Sequence, residues 1–582
     1  MEHLFEAIAR TARERAEAPA MTFVDYRVPS ASGRRDGVPT TLTYGELDRR
    51  VRALAARLQR HCGPTDRVAV LCPHEPAYVI GFLACLYAGV VGVPLHAPEV
   101  VRDRARLRAV ISDCRPEGVI TTGRAAPSVR QVLADLDRPP RHLLYADDPP
   151  AGDQDGAPAG ADWRPPELAP EALAYLQYTS GSTGAPAGVR ISQRNLSAAN
   201  RQIRDHFPDS AVTASWVPFF HDFGLVCGLL NPLAAGSHTV HISPMAFVQD
   251  PYRWLRTISD YQVDWSITPN FSLAQCVNRV TDEQKRTLDL SSLRLLTVAA
   301  EPVRAEAVDA FVAAFADCGL RPTAPTPCYG LAEATLPVTA PPLDEGTVDR
   351  HFDRAALAAG RAEPRPDGTP DTVRLVSCGL PRTGVSVRVV DPAAHHRLAD
   401  GEIGEIWVRG PNVADGYWAR PDRTAEVFAG RLRPAAADDT DDGPWLRTGD
   451  LGFLLDGRLH VTGRLKDLVI VRGRNHYPDD IEITVQQAVG EPNPGLAAAF
   501  AVDLDGTERL IVLLEANRDL LGAEPAARDA TRAALRREVT RRHGVDVHDL
   551  VLVRRGLLAR TSSGKIRRGT CRDQYLRGEF HP

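Results

Sequence analysis

The apolar positions of this chain change their period from stretch to stretch, and the changes lay out its elements. Over 44–58, Leu47, Val51, Leu54 and Leu58 recur at helical spacing and form one face of an amphipathic helix. Thr43 stands where an N-cap belongs, and Glu46 follows at the spacing of a capping box. A second helix of this kind is predicted over 4–16. Short apolar runs such as 68–71 and 118–121 predict buried strands between helices, an alternation that implies an α/β core with largely parallel sheets. The stretch 77–95 carries no charge and is long enough for a membrane helix. Gly81, Gly89, Gly92 and Pro94 interrupt it, so it predicts a buried helix through about residue 88 and a core strand over 90–93.

Near Gly463-Arg464-Leu465-Lys466 the pattern resets. A strand over 468–471, a helix over 478–489, strands over 497–502 and 509–515, and a helix over 526–542 follow. The expectation is a large multi-layer α/β domain over 1–462 and a small α+β domain over 463–582, joined by a hinge. The segments 147–170 and 435–444 are expected as exposed loops. The polar, Arg- and Pro-rich segment 348–372 is expected as an insertion, with a surface loop of no function as the competing reading.

Composition narrows the class. A chain of 582 residues is too long for one core. A net charge of −5 and a pI of about 6.4 argue against a general nucleic-acid binder. The ten cysteines form no C-x-x-C pair and sit mostly in apolar runs, as small buried residues of a reducing cytoplasm do. The N-terminus is acidic and lacks a signal-peptide pattern, so a cytoplasmic protein without a membrane span is expected.

The candidate chemistry begins at Thr179-Ser180-Gly181-Ser182-Thr183-Gly184, small and hydroxyl residues after an apolar strand. Such a loop offers N–H and hydroxyl donors to a polyphosphate, and alone it serves equally as a flexible surface turn. No Gly-Lys-Ser/Thr ends it, so it is not a Walker loop. Downstream come Phe220-His221-Asp222-Phe223-Gly224, Cys328-Tyr329-Gly330-Leu331-Ala332-Glu333, Arg447-Thr448-Gly449-Asp450, Gly463-Arg464-Leu465-Lys466-Asp467 and Thr561-Ser562-Ser563-Gly564-Lys565.

This ordered series resembles the adenylate-forming superfamily of acyl-CoA synthetases, peptide-synthetase adenylation domains and luciferases, and within it most of all the fatty acyl-AMP ligases. The resemblance implies attack of a carboxylate on the α-phosphorus of ATP, giving acyl-AMP and pyrophosphate, with no protein nucleophile. It implies that Thr179, Ser180, Gly181, Ser182, Thr183 and Gly184 hold phosphates, that Glu333 binds Mg²⁺, and that Ala300, Glu301, Pro302, Tyr329 and Gly330 line the adenine side. Asp450 and Arg464 would serve the ribose and phosphates, with His221 beside the reacting carboxylate. Phe220, Asp222, Gly224, Pro269, Asn270, Phe271 and Leu331 would border the acyl group, and Lys565 would be the essential cation. Many relatives carry lysine where this chain has Ala187, and usually glycine where it has Ala300. The small domain would then turn about Lys466 to admit the thiol of an acyl carrier protein acting in trans, in the assembly of a polyketide or lipopeptide. Arg536, Arg537, Arg541, Arg542, Arg554 and Arg555 offer a basic face to such a partner, or an ordinary solvated surface. An acyl- or aryl-CoA synthetase using free CoA, and a catalytically silent scaffold, are the competing functions.

Overall fold

Four neighbouring parallel strands deliver most of the predicted motifs to one edge of a seven-stranded sheet. Pro325–Pro327, Leu295–Val298, Trp265–Thr268 and Val212–Ser215 lie side by side. The chain leaving their C-terminal ends runs into 328–333, 299–302, 269–271 and 220–222, respectively. Open α/β sheets bind ligands at this edge, where the loops emerge together. His238–Ile242 and Pro19–Asp25 continue the sheet in parallel, and Val38–Thr43 closes it antiparallel. The computed structural model describes every residue except 1, 29–35, 99–103, 148–159, 161, 180–185, 207–211, 434–442, 472–473, 490–495, 505–506, 561–564 and 581–582. The expected loops over 147–170 and 435–444 fall largely outside the described residues.

A six-stranded sheet runs in the order His142–Tyr145, Gly118–Thr121, Arg67–Val70, Val91–Pro94, Leu173–Thr179, Ala187–Ser192. Its last two strands form an antiparallel hairpin in which Thr179 faces Ala187, so the glycine-rich segment is the hairpin's connection. The charge-free stretch is the helix Pro76–Ala88, buried on all sides, ended by Gly89 at φ 74° and followed by the strand Val91–Pro94. Among the described residues no helix is long and apolar enough to cross a membrane. Helix Tyr44–Gln59 takes the expected cap, Thr43 Oγ1 accepting the Glu46 N–H at 3.2 Å. The box stays half-made, because Glu46 pairs with Arg50 one turn on.

The segment 348–372 is no irregular loop. Pro364–Arg365, Asp349–Asp353 and Thr372–Val376 form a three-stranded sheet, with the short helix Arg354–Ala358 leading away from it. Phe352 anchors it edge-on against Phe453 with ring centroids 5.1 Å apart. Ser386–Val390, Gly404–Arg409, Leu446–Leu455 and Arg458–Arg464 make a four-stranded antiparallel sheet. Beyond it, Ala497–Leu504, Thr507–Ala516 and Val547–Arg554 form a separate sheet packed by Pro478–Ala488 and Pro525–His543 around its own apolar core. The architecture is a large α/β unit with parallel sheets plus a small α+β unit at the C-terminal end. Arg354 of the 348–372 segment reaches Asp480 of the small unit at 4.0 Å.

Buried imidazoles give this core a pH signature. Burial pushes His241 down to about 3, and His206 and His460 down to about 4. The unfolded chain protonates these rings near pH 6.5 and the folded chain does not, so stability is whole above about 6.5 and is lost as pH falls toward 4. Asp480, pushed up to about 6 by burial, takes its proton first in the folded state and offsets one of the three. The expected outcome is a loss of at least about 4 kcal/mol between about pH 7 and about pH 5, because burial lowers His74 and His543 in the same direction. Urea unfolding at the two pH values measures it, and equal midpoints would contradict the assignment.

Candidate active site

Two clamps fix the turn that carries His221. Gln177 of the six-stranded sheet donates from Nε2 to the Phe220 carbonyl at 3.0 Å, tying the two large sheets together at this point. The His74 ring stacks on Phe219 with centroids 3.7 Å apart. His221 Nδ1 then sits 2.7 Å from Asp222 Oδ1, and the same carboxylate oxygen accepts the Phe223 N–H at 2.8 Å. Burial alone would raise the Asp222 carboxyl, but His221, the Phe223 N–H and Lys565 outweigh it and hold it low. From Phe223 to Leu230 the helix is a π-helix, a wide form that recurs at functional sites.

Across the cleft, Tyr329 donates its hydroxyl to Asp450 Oδ2 at 2.7 Å, and Arg464 Nε lies 3.3 Å from Asp450 Oδ1. Asp450 and Arg464 face each other as cross-strand partners. Glu405, buried in the neighbouring strand, fixes the turn before Asp450. Its Oε1 accepts the Gly449 N–H at 3.1 Å, while Oε2 accepts the Trp407 indole at 2.9 Å and Arg447 Nε at 3.2 Å. Glu333 accepts the Tyr417 hydroxyl at 2.7 Å on Oε1, and burial raises its carboxyl against that hydrogen bond. Gly330 is required by space, since a Cβ there would lie 1.9 Å from the Leu336 carbonyl oxygen. Ala300 holds φ 71°, a left-handed conformation that costs an L residue about 1 kcal/mol and explains why glycine suits the position. Glu301 accepts the Phe271 N–H and so caps the helix Phe271–Arg279 from the next loop.

Lys565 reaches this cleft from the far end of the chain. Burial and the nearby Arg464 lower its ammonium from the ordinary value, against the pull of Asp222, Glu301 and Asp450. An antiparallel bridge between Arg560 and Ile566 closes the base of the loop that presents it. Glu515, almost fully buried, accepts the Gly556 N–H at 2.8 Å and two contacts from Arg560 at 2.9 Å, which pins the approach. Three residues beyond Lys565, Arg568 pairs with Glu482, Asp479 and Asp467.

One cavity of about 2710 Å³ gathers these groups. His221, Glu333, Asp450, Arg464, Lys466 and Lys565 line it. So do Thr179, the loop 300–302 with Tyr329 and Gly330, and Phe220, Asp222, Asn270, Phe271 and Leu331. Ser180, Gly181, Ser182, Thr183 and Gly184 lie outside the described residues. Gly224 and Pro269 are not among the lining residues, although their neighbours Phe223 and Asn270 are. Gly224 packs where a Cβ would come within 2.3 Å of the Pro218 carbonyl oxygen. Pro269 opens the helix after it, its carbonyl accepting the Ser272 hydroxyl at 2.6 Å. Most of the apolar face 225–233 turns into the core and not into the cavity.

Three functional positions carry weak sequence signals. Arg106 lines the cavity and donates to the Thr179 carbonyl at 3.0 Å, at the root of the glycine-rich connection. In the sequence it is one of several arginines in a polar helix. Glu405 and Arg568 are likewise charges whose partners are remote in the chain. A buried acid inside the apolar strand Gly404–Arg409 is the one clue that could have singled out Glu405.

Comparison with known proteins gives a consistent picture. The profile of the AMP-binding enzyme family matches residues 8–418. The long-chain-fatty-acid–AMP ligase FadD28 of Mycobacterium tuberculosis is 39% identical over 593 residues, covering 99% of this chain and 98% of its own. The medium-chain-fatty-acid–[acyl-carrier-protein] ligase JamA of Moorena producens is 38% identical over 553 residues, covering 92% and 90%. The crystal structure of a fatty acyl-adenylate ligase from Legionella pneumophila, in complex with acyl adenylate and pyrophosphate, is similar at TM-score 0.73 and 33% identity, covering 99% of this chain and 96% of that one.

Proposed function

Because the chain belongs to the AMP-binding enzyme family, we propose that it joins a carboxylic acid, in the first instance a fatty acid, to ATP as acyl-AMP and passes the acyl group to the phosphopantetheine thiol of an acyl carrier protein. The observation that carries the reading is the position of Lys565, brought from the tail into the same cleft as Asp222, Glu301 and Asp450. Relatives named as fatty-acid–AMP and fatty-acid–carrier-protein ligases, similar over nearly their whole length, favour the same substrate and acceptor.

The reaction brings two anions together and moves charge onto pyrophosphate, so the residues must supply positive potential and orientation. Asp450, fixed by Tyr329 and Arg464, keeps acceptor capacity for the ribose hydroxyls. Lys565 would bridge the incoming carboxylate and the α-phosphate as a point charge. Arg106, at the root of the glycine-rich connection, would supply the cation that Ala187 cannot. Glu333 fits a magnesium ion: its Oε2 takes no hydrogen bond among the described residues, and burial without a cation disfavours its charge. Glu333 would hold the magnesium, which when bound supplies positive charge to the phosphates, a role that needs one or two carboxylates and not a full protein cage. For the second step the small unit would swing about Lys466 and carry Lys565 out of the cleft.

Acid-dependent pyrophosphate release, screened over carboxylic acids, tests the first step, and competition between a phosphopantetheinylated carrier protein and free CoA tests the second. Release with fatty acids and acyl transfer to the carrier are expected. Rapid acyl-CoA formation from free CoA would remove the carrier-protein assignment, and no release with any acid would remove the ligase itself.

A further inference from the structure

Part of the cavity lining offers polar chemistry that a hydrocarbon tail does not need. The wall starts at the His221–Asp222 pair and continues to Cys227, five residues on. A π-helix bonds i to i+5, so Cys227 stands one turn from Asp222. Cys328, Leu336 and Cys378 extend the wall, apolar and soft, as an acyl chain requires. Burial raises the Cys328 thiol, with Cys378 adding to the effect and Arg382 opposing it, which locates Arg382 beside these thiols.

Beyond them the same cavity is lined by Arg382, His206 and Gln202. The half-buried Arg382 guanidinium donates to the Gln202 carbonyl at 2.8 Å and lies 3.4 Å from His206 Nδ1. It makes no salt bridge among the described residues, although the exposed Asp205 carboxylate lies near enough to favour its charge, and its remaining N–H groups are uncommitted there. His206, pushed down to about 4 by burial and Arg382, is neutral near pH 7, so Arg382 is the only positive charge among these three lining residues. A guanidinium cannot shed its proton, and burying it against methylene groups is costly.

We propose that this part of the cavity selects acids carrying a second carboxylate at the far end, which Arg382 receives as a charge-assisted pair while the first carboxylate reacts beside His221. The proposal rests on the ligase reading above and names the substrate class of that same site. The contact with Gln202 also caps the last turn of the helix Gln193–Arg204, and a purely structural arginine would do only that.

The test is pyrophosphate release by the full chain with matched-length series of monocarboxylic and α,ω-dicarboxylic acids. The wild-type protein is expected to favour the diacid of fitting length by about tenfold or more in kcat/KM, since a site built to pair a polar group rejects the analogue lacking it. Arg382→Met is expected to lose that preference while keeping turnover of the monoacid, with Arg382→Lys between the two. Turnover of monoacids with no diacid preference in the wild-type protein overturns the inference and leaves the ligase reading intact. So does a preference that Arg382→Met leaves unchanged. Absence of turnover with every acid overturns the ligase reading, and this inference with it.

Discussion

Lys565→Ala is expected to slow acid-dependent pyrophosphate release by about a hundred- to a thousandfold. The ammonium comes from the C-terminal tail into the cavity that Asp222, Glu301 and Asp450 also line, near enough for all three carboxylates to favour its charge. Its charge would stand where the carboxylate and the α-phosphate approach, so its loss is felt as charge moves in the transition state more than in binding. The expected signature is a fall in kcat with ATP and acid KM changed by less than about tenfold. Lys565→Arg should recover little, because a planar fork does not replace a point charge on a flexible stem. Acyl-AMP supplied ready-made should still be consumed by carrier-protein thiol at close to the wild-type rate, since Lys565 would have left the cleft by then. Equal loss in both half-reactions would show that the variant damages the lid and not the chemistry.

What could be read from the chain divides by the range of the interaction. The helices Tyr44–Gln59 and Pro76–Ala88 and the strand Gly118–Thr121 follow from period and capping, which are local. The segments 220–222, 299–302 and 328–333 are legible through their motifs and the resemblance these carry, and the sheet order that brings them together is not. Three kinds of feature were not legible. The π-helix Phe223–Leu230 has the same apolar composition as an α-helix, and its Gly224 and Gly228 pack where a Cβ would meet neighbouring backbone or side chains. The segment 348–372 is polar enough to pass for a loop, and one buried ring, Phe352, gives it a fixed seat. Glu405, Arg106 and Arg382 act through partners far away in the chain, and a single charged residue carries no mark of such a partner. The tail motif around Lys565 was legible, but not the scaffold of Glu515 and Arg568 that aims it.

That scaffold leads to the second large effect. Arg568 is 12% exposed in its side chain and meets Glu482 at 2.7 Å, Asp479 at 2.6 Å and Asp467 at 3.3 Å. It thereby joins the segment 465–467, the helix Pro478–Ala488 and the C-terminal helix Arg568–Leu576. Burial already raises the Glu482 carboxyl, and Arg568 is the chief group opposing that rise. Arg568→Ala strands these acids without a counter-charge, and breaking a buried pair from one side costs about 3–5 kcal/mol. The small unit is therefore expected to unfold earlier by that amount, measured by calorimetry or by urea titration with a probe in that unit. The sign of its pH dependence separates this cause from lost packing. Without Arg568 the Glu482 carboxyl rises further, so the folded variant takes up a proton before the unfolded chain does, and the deficit shrinks as pH falls toward the ordinary carboxylate range. A packing defect would keep the same size at every pH. Both half-reactions should weaken together, unlike the Lys565→Ala pattern, because Arg568 ties Asp467 to the small unit through Asp479 and Glu482. Stability within about 0.5 kcal/mol of wild type at neutral pH would mean that water serves these carboxylates as well as the guanidinium does.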